Sequence, residues 1–433
     1  MKSTHSTSTD SLPELTRRRF LQHSTMAAAG ASLISDFPFL TTTRAAPDDP
    51  IRVGLIGCGG RGSGAIRDVV ASAANVSIVA LADVFEDRLK GCRDGLKRER
   101  GADIPDDHCF TGFDAYQKLI ALPDVNFVIL AAPPGFRPPH LRVAVEAGKH
   151  VFMEKPVAVD GPGVRSVIES GEIARSKGLG IVAGTQRRHQ ASYMETIKRL
   201  QDGVIGDILA MRAYWNQGLI WGRAWSPSIS DMENQLRNWY CYTWLSGDHI
   251  VEQHVHNLDV CNWIMNDHPI KAHGLGGRQV RSGKEHGHIY DHFAIEYEYK
   301  SGARMFSQCR QISGCSDNVS EGVIGSLGTG NPANSYQVKG GASWRFAGRG
   351  ANPYQQEHTD LIASIRVGKP LNEARQVAES TLTAIMGRES AYSGRTVEWE
   401  AALNSTKSLV PEKPEFGSMP FPEVAMPGKH KLA

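Results

Sequence analysis

The sequence predicts an α/β chain in two parts, an N-terminal doubly wound parallel sheet followed by an α+β domain with a large open, mostly antiparallel sheet. Three observations carry this. The stretch IRVGLIGCGGRG at 51–62 joins a strand-like apolar run to Gly57, Gly59 and Gly62 at the G-x-G-x-x-G spacing. Strand-like and helical patterns then alternate to residue 185. After residue 190 the character changes: Ile208–Trp215, Lys271–Gly277, His292–Lys300 and Arg304–Ile312 are strand-like, and several alternate apolar and polar residues.

In the glycine turn the three glycines serve different ends, namely the tight turn, the close approach of backbone to a pyrophosphate, and the packing of helix on strand. Ser63–Ala73 places Ala65, Ile66, Val69 and Val70 on one helical face, so a helix start with free N–H groups follows the turn. This is the Rossmann order of strand, glycine turn and helix. A second strand, Val76–Ala82, ends in Asp83, about 20 residues beyond the glycines, where an acid binds the adenosine ribose hydroxyls. A carboxylate there repels a 2′-phosphate, so NAD is expected and NADP is disfavoured, with Arg88 the one nearby cation that bears on the choice. Cys58 is read as a small residue that fits the turn.

Further along, the charged stretch from Asp83 to Cys109 reads as a solvated helix and loop, and Val125–Ala132 as an apolar strand stopped by Pro133-Pro134. His140–Gly148 reads as a helix closed by glycine, and His150–Glu154 as a strand followed at once by Lys155-Pro156. Glu154, Lys155 and Pro156 therefore fall on the same rim as the glycine turn, where proline fixes the backbone, as a cis bond in one reading, and aims the lysine into the crevice. Gly161–Lys177 reads as a helix, and Leu179–Ala183 as a strand leading to Gln186 and Arg188, for a sheet of about six parallel strands. The cofactor contacts expected are Gly57, Gly59, Gly60, Arg61, Gly62, Asp83, Pro133, Glu154, Lys155 and Gln186.

Composition narrows the partners. With 433 residues, 41% hydrophobic and 22% charged, the chain is expected to form two globular domains plus attachments. A formal net charge of +2 offers no field for nucleic acid or an anionic membrane, and no apolar run is long enough to span a bilayer. Residues 1–45 differ: Thr16-Arg17-Arg18-Arg19-Phe20-Leu21-Gln22, then the small-residue segment Met26–Ile34, resembles a twin-arginine export signal with cleavage near Thr43-Arg44-Ala45. Asp36 and Pro38 interrupt its apolar part, which leaves the cleavage point and uncleaved anchoring open. A periplasmic or otherwise exported enzyme, folded around its cofactor before passing the twin-arginine machinery, is the expectation. Seven scattered cysteines without a C-x-x-C pair predict no disulfide.

Within the second part, Gly247–Val260 carries Glu252, His256 and Asp259 at i, i+4 and i+7, one face of a helix. A histidine between two acids is a candidate general base, oriented and raised in pKa by the carboxylates. A satisfied core histidine, or a metal ligand together with Glu252 and His249, are the alternatives; no H-E-x-x-H pattern supports a metal, and none is expected.

Taken together, the glycine turn at 57–62, the Glu154-Lys155-Pro156 triplet and the acid-x-x-x-His helix resemble the glucose–fructose oxidoreductase and inositol dehydrogenase family, Gfo/Idh/MocA, over Ile51–Trp399. The resemblance implies a Rossmann NAD-binding domain at 46–185 and a substrate and oligomerisation domain at 186–346, followed by helices at 347–400 that return to the first domain. It implies a homo-oligomer, dimer or tetramer, through the open sheet. Gly328–Gly350 is expected as loop or hairpin, and 401–433 as an extended tail, with a partner subunit as the surface it would embrace. By the same resemblance Lys155 contacts the reacting hydroxyl or carbonyl, His256 is the acid/base, Glu252 stands where relatives often bind substrate with aspartate, and Asp259 sits behind the histidine. Substrate contacts are expected from Arg188, Trp239, Tyr240, Glu252 and Asp259, the aromatic faces suiting a pyranose. The implied activity is NAD(H)-dependent oxidation or reduction of a sugar, sugar derivative or cyclitol with a tightly bound, recycled cofactor. An NAD-dependent glycoside hydrolase working by oxidation, elimination and reduction is the alternative.

Overall fold

The structure is a computed structural model that describes residues 49–432. The twin-arginine segment lies outside the described residues. The N-terminal sheet has six parallel strands: β1 (Ile51–Ile56), β2 (Val76–Asp83), β3 (Cys109–Thr111), β4 (Phe127–Leu130), β5 (His150–Met153) and β6 (Ile181–Ala183). Their order, β3-β2-β1-β4-β5-β6, is the dinucleotide-binding order, with the switch point between β1 and β4. Helices cover both faces: α1 (Gly60–Ser72), α2 (Glu86–Arg100), α3 (Arg137–Glu146) and α4 (Gly161–Ser176). Phe-Val-Ile-Leu of β4 is buried throughout, as a strand covered on both sides must be. β3 escapes the sequence pattern because three residues at a sheet edge show too little periodicity to be seen.

The second sheet has nine strands: β7 (Ile208–Gln217), β8 (Pro269–Gly277), β9 (His292–Tyr299), β10 (Arg304–Gln311), β11 (Asn318–Gly325), β12 (Gly328–Asn331), β13 (Ser335–Val338), β14 (Ser343–Arg345) and β15 (Val397–Glu398). Their order is β14-β13-β12-β11-β7-β10-β9-β8-β15, and β7 with β10 is its one parallel pair among the described residues. Burial alternates along β9 and β10, so one face is core while the other exposes Leu209, Leu275, Phe306 and Ile324. The Gly/Asn-rich stretch after residue 328 is more than a hairpin: β12, β13 and β14 form a meander, held where Tyr336 stacks on Trp344 at 5.5 Å and Arg199 covers Trp344 at 4.5 Å.

One local expectation is corrected. Gly247–Val260 is not one helix but α5 (His249–Glu252) and α6 (Val255–Met265), broken at Gln253 and His254. His254 N–H reaches back five residues to the His249 carbonyl at 3.1 Å, and its Nε2 lies 2.8 Å from Ser307 Oγ, so tertiary contacts hold the break open. α7 (Pro353–Arg366) packs on α1, with Thr359 Oγ1 donating to the Ser72 carbonyl at 3.1 Å. α8 (Ala374–Ser393) packs on α4, α6 and β8. Beyond it the tail lies on its own chain: Met232 N–H donates to the Gly417 carbonyl at 3.1 Å, and Gly428 N–H to the Ser393 carbonyl at 2.9 Å.

Candidate active site

At the carboxyl end of β1, Gly57 has φ +99°, and a side chain there would strike the Ala131 and Ala132 backbone at 2.5 Å. This holds the turn against the segment that ends in Pro133. Gly62 packs α1 onto the turn so closely that an added Cβ would collide with the Gly57 carbonyl oxygen. Gly59 is different, with nothing within 4 Å of an added Cβ, and the same holds for Gly60. Gly59 also has no side chain with which to cap α1, so the first N–H groups and the positive helix end remain for an anion. The open cradle beside Gly59 and the uncapped helix start fit a dinucleotide pyrophosphate.

The next strand supplies the acid. Asp83 Oδ2 accepts the Cys58 N–H at 2.7 Å and Oδ1 accepts the Phe85 N–H at 2.9 Å, which fixes the carboxyl at the rim. Burial raises its pKa. Gln186, in the turn after β6, donates to Tyr354 Oη at 3.3 Å, and its Oε1 is buried without a partner among the described residues. Arg61 pairs with Glu154 at 2.5 Å and reaches Asp68 and Glu357 at 3.5 and 3.7 Å. Room for the Glu154 carboxyl comes from Gly184, where an added Cβ would meet Oε2 at 2.5 Å.

These glycines separate two effects. Gly62→Ala is expected to destabilise the protein by about 1–3 kcal/mol through overpacking against backbone, outweighing the ~1 kcal/mol that alanine adds in a helix. Gly59→Ala should leave the melting temperature unchanged and weaken NAD roughly tenfold or more. Thermal melts and NAD titration check both; equal melting losses would mean that the space at Gly59 is not a ligand cradle.

Lys155 precedes the cis peptide to Pro156 and crosses to the second domain. Its Nζ donates to the Glu252 carbonyl at 2.6 Å and to Glu252 Oε1 at 3.1 Å. The helix break explains the first bond, because in a continuous helix that carbonyl would take the His256 N–H. Glu252 Oε2 is buried without a partner among the described residues. His256 lies in the first turn of α6, is 6% exposed, and stacks on Trp215 with centroids 5.7 Å apart.

The electrostatics of His256 are the reverse of the expectation. Burial first, then the charge of Lys155 and of Arg187, hold its pKa well below 6.5. The acids do not raise it because cations already neutralise them: Glu252 holds Lys155, and Asp259 holds Arg188. Asp259 accepts two bonds from Arg188, each at 2.9 Å, and one from Ser380 Oγ at 2.8 Å. Arg188 and Asp259 thus face each other and tie the turn after β6 to α6 and α8. Of the aromatic pair, Tyr240 is buried and its hydroxyl accepts from Gln311 Nε2 at 2.7 Å, with burial and the Glu252 charge pushing its pKa up. Trp239 stands 5.6 Å from Tyr240, and Trp221, 41% exposed, continues the wall outward at 5.8 Å from Trp239.

Sequence reasoning missed two supports. Arg137, fully buried after Phe136, donates to the Glu154 and Ala132 carbonyls at 2.5 and 2.7 Å, joining the ends of β4 and β5. Burial pushes its pKa down to about 10. Arg187 pairs with buried Glu321 and lies 5.5 Å above Trp215, the ring that carries His256. An arginine within an apolar turn and a lone acid in the β11 pattern were the available signals.

Comparison with known proteins agrees with this fold. Residues 51–185 match the model described as "Oxidoreductase family, NAD-binding Rossmann fold", and 193–330 match the Gfo/Idh/MocA C-terminal domain. Inositol 2-dehydrogenase of Gluconacetobacter diazotrophicus is 27% identical over 73% of this chain and 87% of its own length. Inositol 2-dehydrogenase 3 of Saccharopolyspora erythraea is 27% identical over 59% of this chain, a match that spans 65% of that protein. Scyllo-inositol dehydrogenase from Lactobacillus casei, solved with bound NAD(H) and scyllo-inositol, shares the fold with a TM-score of 0.62 at 18% identity, over 81% of this chain and 99% of that one. The two family models together cover more than half of the sequence, and the chain belongs to the Gfo/Idh/MocA family of NAD-binding oxidoreductases.

Proposed function

We propose that the protein oxidises or reduces a secondary hydroxyl or keto group of a cyclitol or sugar at the junction of Lys155, Glu252 and His256. The observation that carries this is the meeting of Lys155 Nζ with Glu252 Oε1 at 3.1 Å, beside a buried histidine held neutral. NAD, bound at that turn, supplies the hydride acceptor or donor. His256 Nε2 or Nδ1 takes the hydroxyl proton, and its low pKa keeps it ready as a base. Lys155 stabilises the developing alkoxide with a charge already fixed in place. The free Oε2 of Glu252 accepts a substrate hydroxyl, while Tyr240 and Trp239 form an apolar wall for the ring. The inositol dehydrogenase relatives favour cyclitols within this class.

Export through the Arg17-Arg18-Arg19 signal belongs to the same proposal, and with it a cofactor that stays bound and is recycled. The exposed apolar face of the nine-stranded sheet is the proposed surface for a homodimer or tetramer. The glycosidase reading shares the first oxidation step, and the outward run from Tyr240 to Trp221 is what favours it. Protein purified without added cofactor and then denatured should release roughly one equivalent of NAD(H) per chain, identified by absorbance and mass, as expected when dissociation is slow on the purification timescale. An empty protein that binds NAD reversibly would overturn recycling and leave an ordinary dehydrogenase. A glycoside cleaved rather than oxidised would select the hydrolase.

A further inference from the structure

We infer that the C-terminal tail holds the cofactor in place, with Phe416 closing the adenosine end of the site. The inference rests on the NAD assignment and not on the reaction proposed above.

The adenosine end is marked by Asp83, since the acid at the end of β2 takes the adenosine ribose. Phe85, two residues on, donates its N–H to that carboxyl at 2.9 Å. Its ring lies 6.0 Å from Phe416 of the tail. Phe113, after β3, lies 5.0 Å from Phe416 and 6.4 Å from Phe136, after β4. Loops at the carboxyl ends of the neighbouring strands β2 and β3 therefore converge on one side chain from a segment more than 300 residues away in sequence, and Phe136 backs the cluster through Phe113. Phe416 is 48% exposed, so the cluster keeps an open aromatic face at the rim where a flat purine can pack.

The tail is fastened on both sides of that residue. Before it, the Leu409 N–H donates to Asp160 Oδ2 at 2.8 Å, and Arg165 to the Ser405 carbonyl at 2.8 Å. After it, Gln235 Nε2 donates to the Pro420 carbonyl at 3.1 Å and Tyr290 Oη to the Ala425 carbonyl at 2.9 Å. The second domain also reaches this rim directly: the Arg237 guanidinium lies 3.9 Å from the Phe85 ring centroid and pairs with Asp87 at 3.0 Å. A segment pinned in this way and touching the end of β2 must lift before the adenosine half leaves, which slows release without adding a polar contact to the cofactor.

The test uses the full chain loaded with isotope-labelled NAD and chased with unlabelled NAD, reading the release rate. Phe416→Ala should speed release roughly tenfold, a change of about 1.4 kcal/mol, and Phe416→Trp should restore slow release. Phe421→Ala is the control, because Phe421 sits in the same tail but packs on Trp225 and Tyr242 at 6.1 and 6.0 Å. It should lower the melting temperature and leave release unchanged. Unaltered release in Phe416→Ala, or equal acceleration in Phe421→Ala, overturns the inference. A parent protein that neither releases NAD(H) on denaturation as purified nor takes up label overturns the cofactor assignment, and retention with it.

Discussion

His256→Ala is expected to lower kcat by roughly 10²- to 10⁴-fold, the range that a positioned acid/base supplies. NAD affinity should not change, because the histidine belongs to α6 of the second domain and not to the glycine turn. Loss of NAD binding would show that His256 supports the crevice and does not move a proton. The pH dependence follows from the direction of its shift. A base works when neutral, and burial with the charges of Lys155, Arg187, Arg61 and His254 holds the folded-state pKa below 6.5. The acid limb of kcat/KM in the parent should therefore fall below pH 6.5. The same depression means that the unfolded chain binds a proton first as pH drops, so stability is lost below pH 6.5 and less of it is lost in the alanine variant. An acid limb above that value would mean that the carboxylates govern the histidine after all.

Lys155→Met is expected to have the second large effect, and through two separable causes. It removes the charge that meets the developing alkoxide, for a loss in kcat of roughly 10²–10³-fold by analogy with a lost oxyanion donor. It also strands Glu252, whose carboxylate is 11% exposed and whose carbonyl takes the same ammonium. Breaking one side of a buried pair costs about 3 kcal/mol, less whatever protonation of the acid recovers. Adding Glu252→Gln should restore much of the stability and none of the turnover. Denaturant melts and kinetics on the two single variants and the double variant measure this coupling. Recovery of turnover along with stability would assign Lys155 a purely structural place.

How far the sequence reached depended on the range of the interactions involved. The glycine turn, Asp83 and the Glu154-Lys155-Pro156 rim were legible because each is a local device: a spacing that only glycine tolerates, an acid at a strand end, a proline that sets the backbone. The six-stranded sheet was legible in outline because helices cover both its faces and its inner strands are largely apolar. β11 was harder, since Glu321 and Gly322 interrupt its apolar pattern and the acid is accommodated only by Arg187, Tyr193 and Asn257.

The site was half legible. Lys155, Glu252 and His256 could be singled out by type and spacing, yet their electrostatics could not. Helical periodicity placed two acids beside His256, but Ser307 and Lys155 hold a break between Glu252 and the histidine, while Arg188 and Ser380 draw Asp259 aside. By itself the sequence determined the fold class, the cofactor and the residues that chemistry requires, because those follow from local backbone geometry and residue type. Only the tertiary structure decided the charge state of His256, the partner of each acid and the seat of the tail, because these depend on groups more than 300 residues apart at the extreme, brought into one low-dielectric crevice.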